Sequence, residues 1–154
     1  MRYAIILLIS TLSLGSCQTA APLETTQTQP ATQRPEQLSP QTLARGDCAM
    51  FVWERAAPNR FILFTQSRTG AGVWYDGSKS VSVTIDAASG EVEQGQSPQQ
   101  SLSGADAALD IRLVDAQSIT GGTRYSGGRL RVTSAQEWER FIPVVGLSSC
   151  NIEP

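Results

Sequence analysis

Short apolar runs, separated by turn-forming residues, occupy the chain from residue 48 onward. Residues 80–86 alternate between small polar residues and valine or isoleucine, which predicts a half-buried β-strand. Residues 48–54 and 60–65 are apolar on both faces, which predicts strands covered on both sides or strands with one exposed apolar face. Further strand-like runs lie at 70–75, 109–113, 119–125, 129–133 and 138–145. About eight short strands in roughly 100 residues predict an all-β domain, a small antiparallel meander that forms a barrel or a sandwich.

Turn residues predict how these strands are connected. Asp76-Gly77 is the strongest hairpin signal, because this pair favours the left-handed backbone of a tight turn. The pair Gly121-Gly122 predicts a β-bulge, and Pro143, which has no N–H, predicts that the last strand lies at an edge or a bulge. Other turn signals lie at 57–59, 88–90 and 126–128.

Three segments depart from the strand pattern. Residues 39–46 combine a capping serine, a proline at the first helical position and a final glycine, which predicts one or two turns of helix. Residues 105–113 alternate like a strand, although their composition also suits a helix. Residues 91–104 are rich in glutamine and serine, which predicts a long polar loop.

The N-terminal part of the chain has the pattern of an exported protein. Residues 4–14 are mostly apolar, follow a single early positive charge at Arg2 and precede small residues, which predicts a secretory signal peptide. Residues 18–38 consist mainly of glutamine, threonine, proline and alanine, which predicts a disordered tether.

The stretch Leu14-Gly15-Ser16-Cys17 resembles a bacterial lipobox. The resemblance implies that residues 1–16 are removed and that Cys17 becomes a lipidated N-terminus carrying acyl chains such as palmitate. Gln18 in the next position implies transfer to the outer membrane, with the folded domain in the periplasm. The alternative is cleavage after residue 21, which would release a soluble periplasmic protein.

The predicted organisation has three parts. Residues 1–16 are the signal peptide, residues 17–46 the lipidated N-terminus and flexible linker, and residues 47–154 the β domain. If Cys17 carries lipid, Cys48 and Cys150 remain as a pair, and an oxidising compartment favours a disulfide between them. The alternative is two free buried thiols.

Composition argues against several kinds of chemistry. The chain of 154 residues has a net charge of −2 with scattered basic residues, so nucleic acid is not an expected partner. It contains no histidine, which excludes the usual serine triad, and neither a metal set nor a cofactor loop is recognisable. Lys79, the single lysine, lies just after the Asp76-Gly77 turn and is interpreted as a solvated turn residue.

Acidic and aromatic residues give the remaining candidate sites. Glutamates two positions apart, at 91 and 93 or at 137 and 139, would share a strand face. Such a carboxylate pair is the basis of the alternative that the protein is a glycan hydrolase. Trp74 and Tyr75 point to opposite faces of one strand, so one of them is expected outside the barrel or sandwich. With Arg124 and Tyr125 on a glycine-framed turn, they form a possible binding surface, and the alternative is that they serve packing.

Two family resemblances concern the β domain. Residues 73–77, residues 122–125 and the framing pair Cys48 and Cys150 resemble the membrane-bound inhibitors of C-type lysozyme, which implies a small antiparallel barrel tied by a disulfide. The chain departs from that family at Gly121, where the inhibitory loop has a serine, and at a later turn that lacks the family's lysine. Residues 48–53 and 138–150 resemble an uncharacterised family of small Gram-negative lipoproteins, which implies no activity.

These observations together predict a non-catalytic binding or envelope-assembly module without a cofactor, anchored to the outer membrane by its N-terminal lipid. The expected partners are the membrane itself and either an envelope protein or a lysozyme. A C-type lysozyme inhibitor-like protein and an envelope glycan hydrolase are the two alternatives.

Overall fold

The computed structural model describes residues 36–56 and 58–152, and Cys17 and the predicted signal peptide lie outside them. The described residues form eight β-strands and no helix, as the all-β prediction required. The strands are β1 (Cys48–Glu54), β2 (Arg60–Gln66), β3 (Ala71–Tyr75), β4 (Ser80–Ser89), β5 (Gln99–Gly104), β6 (Ala107–Ile119), β7 (Gly122–Ser134) and β8 (Glu139–Cys150). Within these residues no helix is long and apolar enough to cross a membrane.

The strands form a closed antiparallel barrel in which each strand pairs with its neighbours in sequence. β8 returns to pair with β1 over seven residues, from Cys48 opposite Cys150 to Glu54 opposite Val144. Because the sheet closes, the domain is a barrel and not a sandwich, a choice that the sequence pattern had left open. The disulfide between Cys48 and Cys150 joins the first and last strands, which confirms the predicted pairing. We call the end of the barrel that carries this bond the disulfide end.

The barrel interior is filled by one apolar cluster to which all eight strands contribute. Alternation over residues 81–85 of β4, 109–113 of β6 and 130–132 of β7 directs every second side chain inward, as the period-two pattern predicted. On β2 a bulge opposite Val52 and Trp53 places Ile62 and Leu63 both inside, so Phe61 and Phe64 face outward. This bulge explains why residues 60–65 look apolar on both faces.

A second apolar cluster lies on the outer face of β1, β2 and β3 and is covered by residues 38–43. Leu38 is only 2% exposed, and its backbone N–H donates to the carbonyl oxygen of Phe61 at 2.8 Å. The predicted helix over 39–46 is therefore wrong: the segment runs without helix to a turn at Arg45-Gly46. Its capping pattern is overridden because Leu38 and Leu43 bury apolar surface by lying along the sheet.

Four local predictions in the second half of the chain are corrected by strand pairing. The polar loop predicted over 91–104 ends earlier, because Gln99–Gly104 is β5, and the helix alternative for 105–113 is replaced by β6. Gly121 lies in the turn between β6 and β7, and residues 126–128 lie within β7, where the register with β8 shifts. Pro143 pairs with Arg129 beside this shift, as expected for a proline next to a bulge.

Candidate functional site

The structure separates the four residues predicted as a possible binding surface. Trp74 and Tyr125 belong to the interior cluster, and Tyr125 is only 1% exposed. Tyr75 points to the outer face, as alternation required, but it is buried in the covered outer cluster. Arg124 alone is exposed, so these side chains do not form one common surface.

Arg124 lies in a wide groove of about 670 Å³ on the outer face of β1, β7 and β8. Its guanidinium donates to the side-chain oxygen of Gln117 at 2.6 Å. Trp53, Ile119 and Leu147 give this groove a largely apolar lining. Arg124 is thus already held by a neighbour on β6.

The buried Tyr125 lies near the disulfide end. Burial raises the pKa of its phenol above the usual range, the Ser148 hydroxyl opposes the shift, and the carboxylate of Glu93 adds to it. Glu93 also accepts a hydrogen bond from the hydroxyl of Thr123 at 3.3 Å. These contacts hold the loop between β4 and β5 against the barrel.

That loop closes the disulfide end with a buried polar network. The Gln96 side chain donates to the carbonyl oxygen of Cys48 at 3.0 Å and accepts from Gln100 at 3.1 Å. Thr65 in turn donates to Gln100 at 2.9 Å. Gly95 lies so close to the disulfide that an added Cβ would come within 3.2 Å of the Cys48 sulfur. Apolar packing and this network occupy the barrel at the disulfide end, whereas a smaller cavity of about 250 Å³, lined by Trp74, Val81 and Val132 among others, lies among residues of the interior cluster.

The candidate catalytic groups are distributed over different parts of the barrel. Glu93 contacts Thr123, whereas Glu139 forms an ion pair with Arg131, and Glu137 lies in the turn that precedes β8. Lys79 is exposed in the turn before β4, beside the Asp76 carboxylate. No group of three or more potential metal ligands occurs within residues 36–56 and 58–152.

The strand register brings polar residues together on the outer face between β4 and β8. One row of directly opposed residues crosses five strands, and a second row runs beside it. The first row is Ser89, Gln99, Arg112, Arg129 and Pro143, and the second is Ala87, Ser101, Asp110, Arg131 and Phe141. Nine of these ten residues line one groove of about 380 Å³, which we call the arginine groove.

Arg112 and Arg129 stand directly opposite each other in this groove. Directly opposed side chains in an antiparallel pair have Cβ atoms about 5 Å apart, and like charges there are destabilising. Both side chains are exposed, and the ion pairs of the described residues involve neither of them. Arg129 lies over the ring of Phe141, 5.9 Å from its centroid, which orients the guanidinium. The pair therefore presents two cations on one side of the sheet.

The adjacent row holds a compact polar cluster. The Ser101 hydroxyl donates to Asp110 at 2.6 Å, and Arg131 donates to the other carboxylate oxygen at 2.6 and 3.1 Å. The bond from Ser101, followed by those from Arg131, holds the pKa of Asp110 below its usual value. Arg131 also contacts Glu139 at 3.3 Å, so its charge is shared between two carboxylates. This cluster leaves Arg112 and Arg129 as the available cations of the groove.

The sequence contained part of the signal for this groove. Alternation along residues 107–113 places Asp110 and Arg112 on the polar face, and the same holds for Arg129 and Arg131 on the next strand. The pairing of Arg112 with Arg129 requires the register of the hairpin, and the place of Phe141 requires the register of β8. Turn residues at 126–128 concealed that register, because they suggested a break within β7.

Comparisons with known proteins identify no relative of this chain: no family model, no curated protein and no solved structure matches it.

Proposed function

We propose that the protein is an outer-membrane lipoprotein, anchored through Cys17, whose periplasmic barrel is a non-catalytic binding module. The export pattern of residues 4–14 and the lipobox-like stretch before Cys17 support the anchor. The disulfide between Cys48 and Cys150 supports an oxidising compartment. Several acyl chains anchor a protein stably, because each buried CH₂ contributes about 0.8 kcal/mol.

The observation that carries the binding function is the opposed pair Arg112 and Arg129. Two unpaired like charges at directly opposite positions weaken a sheet, so a stability argument gives no reason for them. An anionic ligand held between them would remove the repulsion and form charge-assisted hydrogen bonds with both guanidinium groups. Because both arginines line the outer groove, this groove is the surface on which such a ligand would be bound.

The anchor is tested by metabolic labelling with radioactive palmitate. The native chain is expected to incorporate label and to fractionate with the outer membrane, whereas Cys17→Ser should lose the label and become soluble. Equal labelling of both forms would contradict lipidation at Cys17.

The binding function is tested by affinity capture of solubilised envelope components on the folded barrel. The native barrel is expected to retain a component that the double variant Arg112→Gln/Arg129→Gln does not retain. An Arg140→Gln form serves as a control for the loss of a surface charge, since Arg140 is exposed on β8 but lies outside the arginine groove. Identical profiles for all three forms would exclude the groove as the binding surface.

A C-type lysozyme inhibitor is the second candidate, because a small antiparallel barrel tied by a disulfide is what that resemblance implies. This candidate function predicts that the isolated barrel inhibits a C-type lysozyme at micromolar concentration, although Gly121 replaces the family's serine. Full lysozyme activity at a large excess of barrel would exclude this candidate.

A further inference from the structure

We propose that the arginine groove binds an acidic saccharide, a sugar chain that bears carboxylate or phosphate groups. This inference rests on the proposed function of the barrel as a binding module and names the ligand class of the same groove. Three parts of the groove match such a ligand: two free cations, a row of neutral hydrogen-bonding groups and one exposed aromatic ring.

The first part specifies an anion. Arg112 and Arg129 lie on facing strands, and each guanidinium offers a planar set of N–H donors that matches a carboxylate or a phosphate. Asp110 is the acid among the residues that line the groove, and it contacts Arg131, as does the neighbouring Glu139. The three arginines outnumber the two carboxylates, so an added negative charge is favoured.

The second part suits hydroxyl groups. Gln99 lies beside Arg112 in the same row, and Ser89 lies beyond it, so amide and hydroxyl groups continue the line of the cations. Such groups both donate and accept hydrogen bonds, as the hydroxyls of a sugar do. A simple anion would leave this part of the groove unused.

The third part is Phe141, whose side chain is 56% exposed at the β8 border of the groove. Arg129 packs against its ring, and the exposed remainder offers a flat apolar surface. A sugar ring has apolar C–H faces as well as a polar rim, so it can lie against such a ring while its charged group reaches the arginines. The volume of about 380 Å³ is within the usual size range of small-ligand pockets.

The lining also argues against a lipid acyl chain as the ligand. Eight of the eleven residues that line the groove are arginine, serine, glutamine or aspartate, and they lie on an open sheet face. Burying a hydrocarbon chain there would desolvate these polar groups without giving them hydrogen bonds. The polar lining therefore favours a saccharide over a lipid tail.

The test is calorimetric titration of the purified, oxidised barrel with tetragalacturonate, with its fully methyl-esterified form, with glucose 6-phosphate and with inorganic phosphate. We expect binding of tetragalacturonate that weakens with added salt, and at least about tenfold weaker binding of the uncharged ester. If glucose 6-phosphate also binds, the groove accepts anionic sugars in general. If glucose 6-phosphate does not bind, the groove requires a carboxylate. Equal affinity for the ester and the acid would overturn the proposal.

Variants locate the ligand. Arg112→Gln and Arg129→Gln should each weaken binding of tetragalacturonate by about tenfold or more, because each removes a charge-assisted hydrogen bond. Arg140→Gln should leave the affinity unchanged. Phe141→Leu should weaken saccharide binding without changing the affinity for inorganic phosphate. Since all four side chains are exposed, matching melting temperatures are expected, and they separate lost binding from lost folding.

Three results would reject the saccharide while leaving the binding module intact. Inorganic phosphate that binds as tightly as tetragalacturonate would reduce the groove to an anion site. Vesicles of phosphatidylglycerol that bind the barrel through Arg112 and Arg129, with no saccharide bound, would assign the groove to a membrane surface. Capture of an envelope component that depends on both arginines but not on added saccharide would reject only the ligand class.

Discussion

At the scale of single residues, short polar contacts fix the strands more specifically than apolar alternation does. Asp76 shows this in the hairpin between β3 and β4, where its carboxylate accepts from the backbone N–H of Ser78 and of Lys79 at 2.7 and 2.9 Å. Partial burial alone would raise the pKa of Asp76, but these bonds and that from the Ser78 hydroxyl outweigh it and lower the pKa. The left-handed backbone at Gly77 completes the turn that Asp76-Gly77 predicted.

Asp110 gives a prediction about pH at the same scale. Its pKa is lowered in the folded chain, first by the bond from Ser101 and then by Arg131, so its charged form stabilises the fold above the ordinary pKa of 3.8. This stabilisation is lost as the pH falls through the lowered pKa. We therefore expect Asp110→Asn to be less stable than the native chain near pH 7, with the difference shrinking below about pH 4. Urea unfolding of both forms across this range is the measurement, and a difference independent of pH would contradict it.

At the scale of elements, β7 shows how closely neighbouring strands of the barrel approach each other. It pairs with β6 along nearly its whole length and with β8 on both sides of a register shift. Glycine is required where β7 passes close to β8: a Cβ at Gly122 would lie 2.2 Å from the Ser148 carbonyl oxygen, closer than atoms can approach. Gly127, in the shifted part of the strand, has only ordinary contacts at 3.4 Å or more.

Replacement by alanine is therefore expected to cost much more stability at Gly122 than at Gly127. Gly122→Ala should destabilise the barrel by about 2 kcal/mol or more, because the strands must separate to admit the methyl group. Gly127→Ala should change stability by less than about 1 kcal/mol. Chemical denaturation of the two variants beside the native chain measures this contrast. Equal losses would show that β7 tolerates side chains poorly along its whole length.

At the scale of the whole molecule, the barrel is completed by parts that are distant in sequence. Residues 38–43 cover the outer face of β1, β2 and β3, and the disulfide joins strands whose cysteines are 102 positions apart. The described end of the predicted linker thus belongs structurally to the barrel. The outer face of β4 to β8 stays uncovered by the described residues and carries the arginine groove.

Leu38 tests whether the covering segment stabilises the barrel. Leu38→Ala should lower the free energy of unfolding by about 2 to 3 kcal/mol, since the side chain is 2% exposed within an apolar cluster. Leu43→Ala, at a half-buried position of the same segment, should have a smaller effect. Thermal unfolding of both variants provides the comparison. A Leu38→Ala chain as stable as the native one would show that residues 36–46 act only as a linker.

The disulfide gives the largest expected effect. Replacing both cysteines, Cys48→Ala with Cys150→Ala, should reduce stability by about 4 kcal/mol, because a loop of about 100 residues is no longer closed in the unfolded chain. Urea unfolding of the double variant measures the loss, and circular dichroism reports whether the barrel still forms. A loss below about 1 kcal/mol would mean that the β1–β8 ladder alone closes the barrel.

The sequence by itself determined the strand class, the approximate strand number, the Asp76-Gly77 hairpin and the pairing of Cys48 with Cys150. These features follow from local periodicity, from turn preferences over a few residues and from cysteine arithmetic. Export and lipidation remain predictions from the first 17 residues.

Only the tertiary structure decided that the meander closes, that Leu38 covers the outer sheet and that Arg112 faces Arg129. The physical reason is that register joins residues far apart in the chain. Alternation fixes the face on which a side chain lies, but a shift by two positions would keep every face and change every partner, and no local pattern fixes that choice. The possible surface around Trp74 and Tyr125 shows the same limit, since alternation gives the face of a side chain but closure decides what covers it.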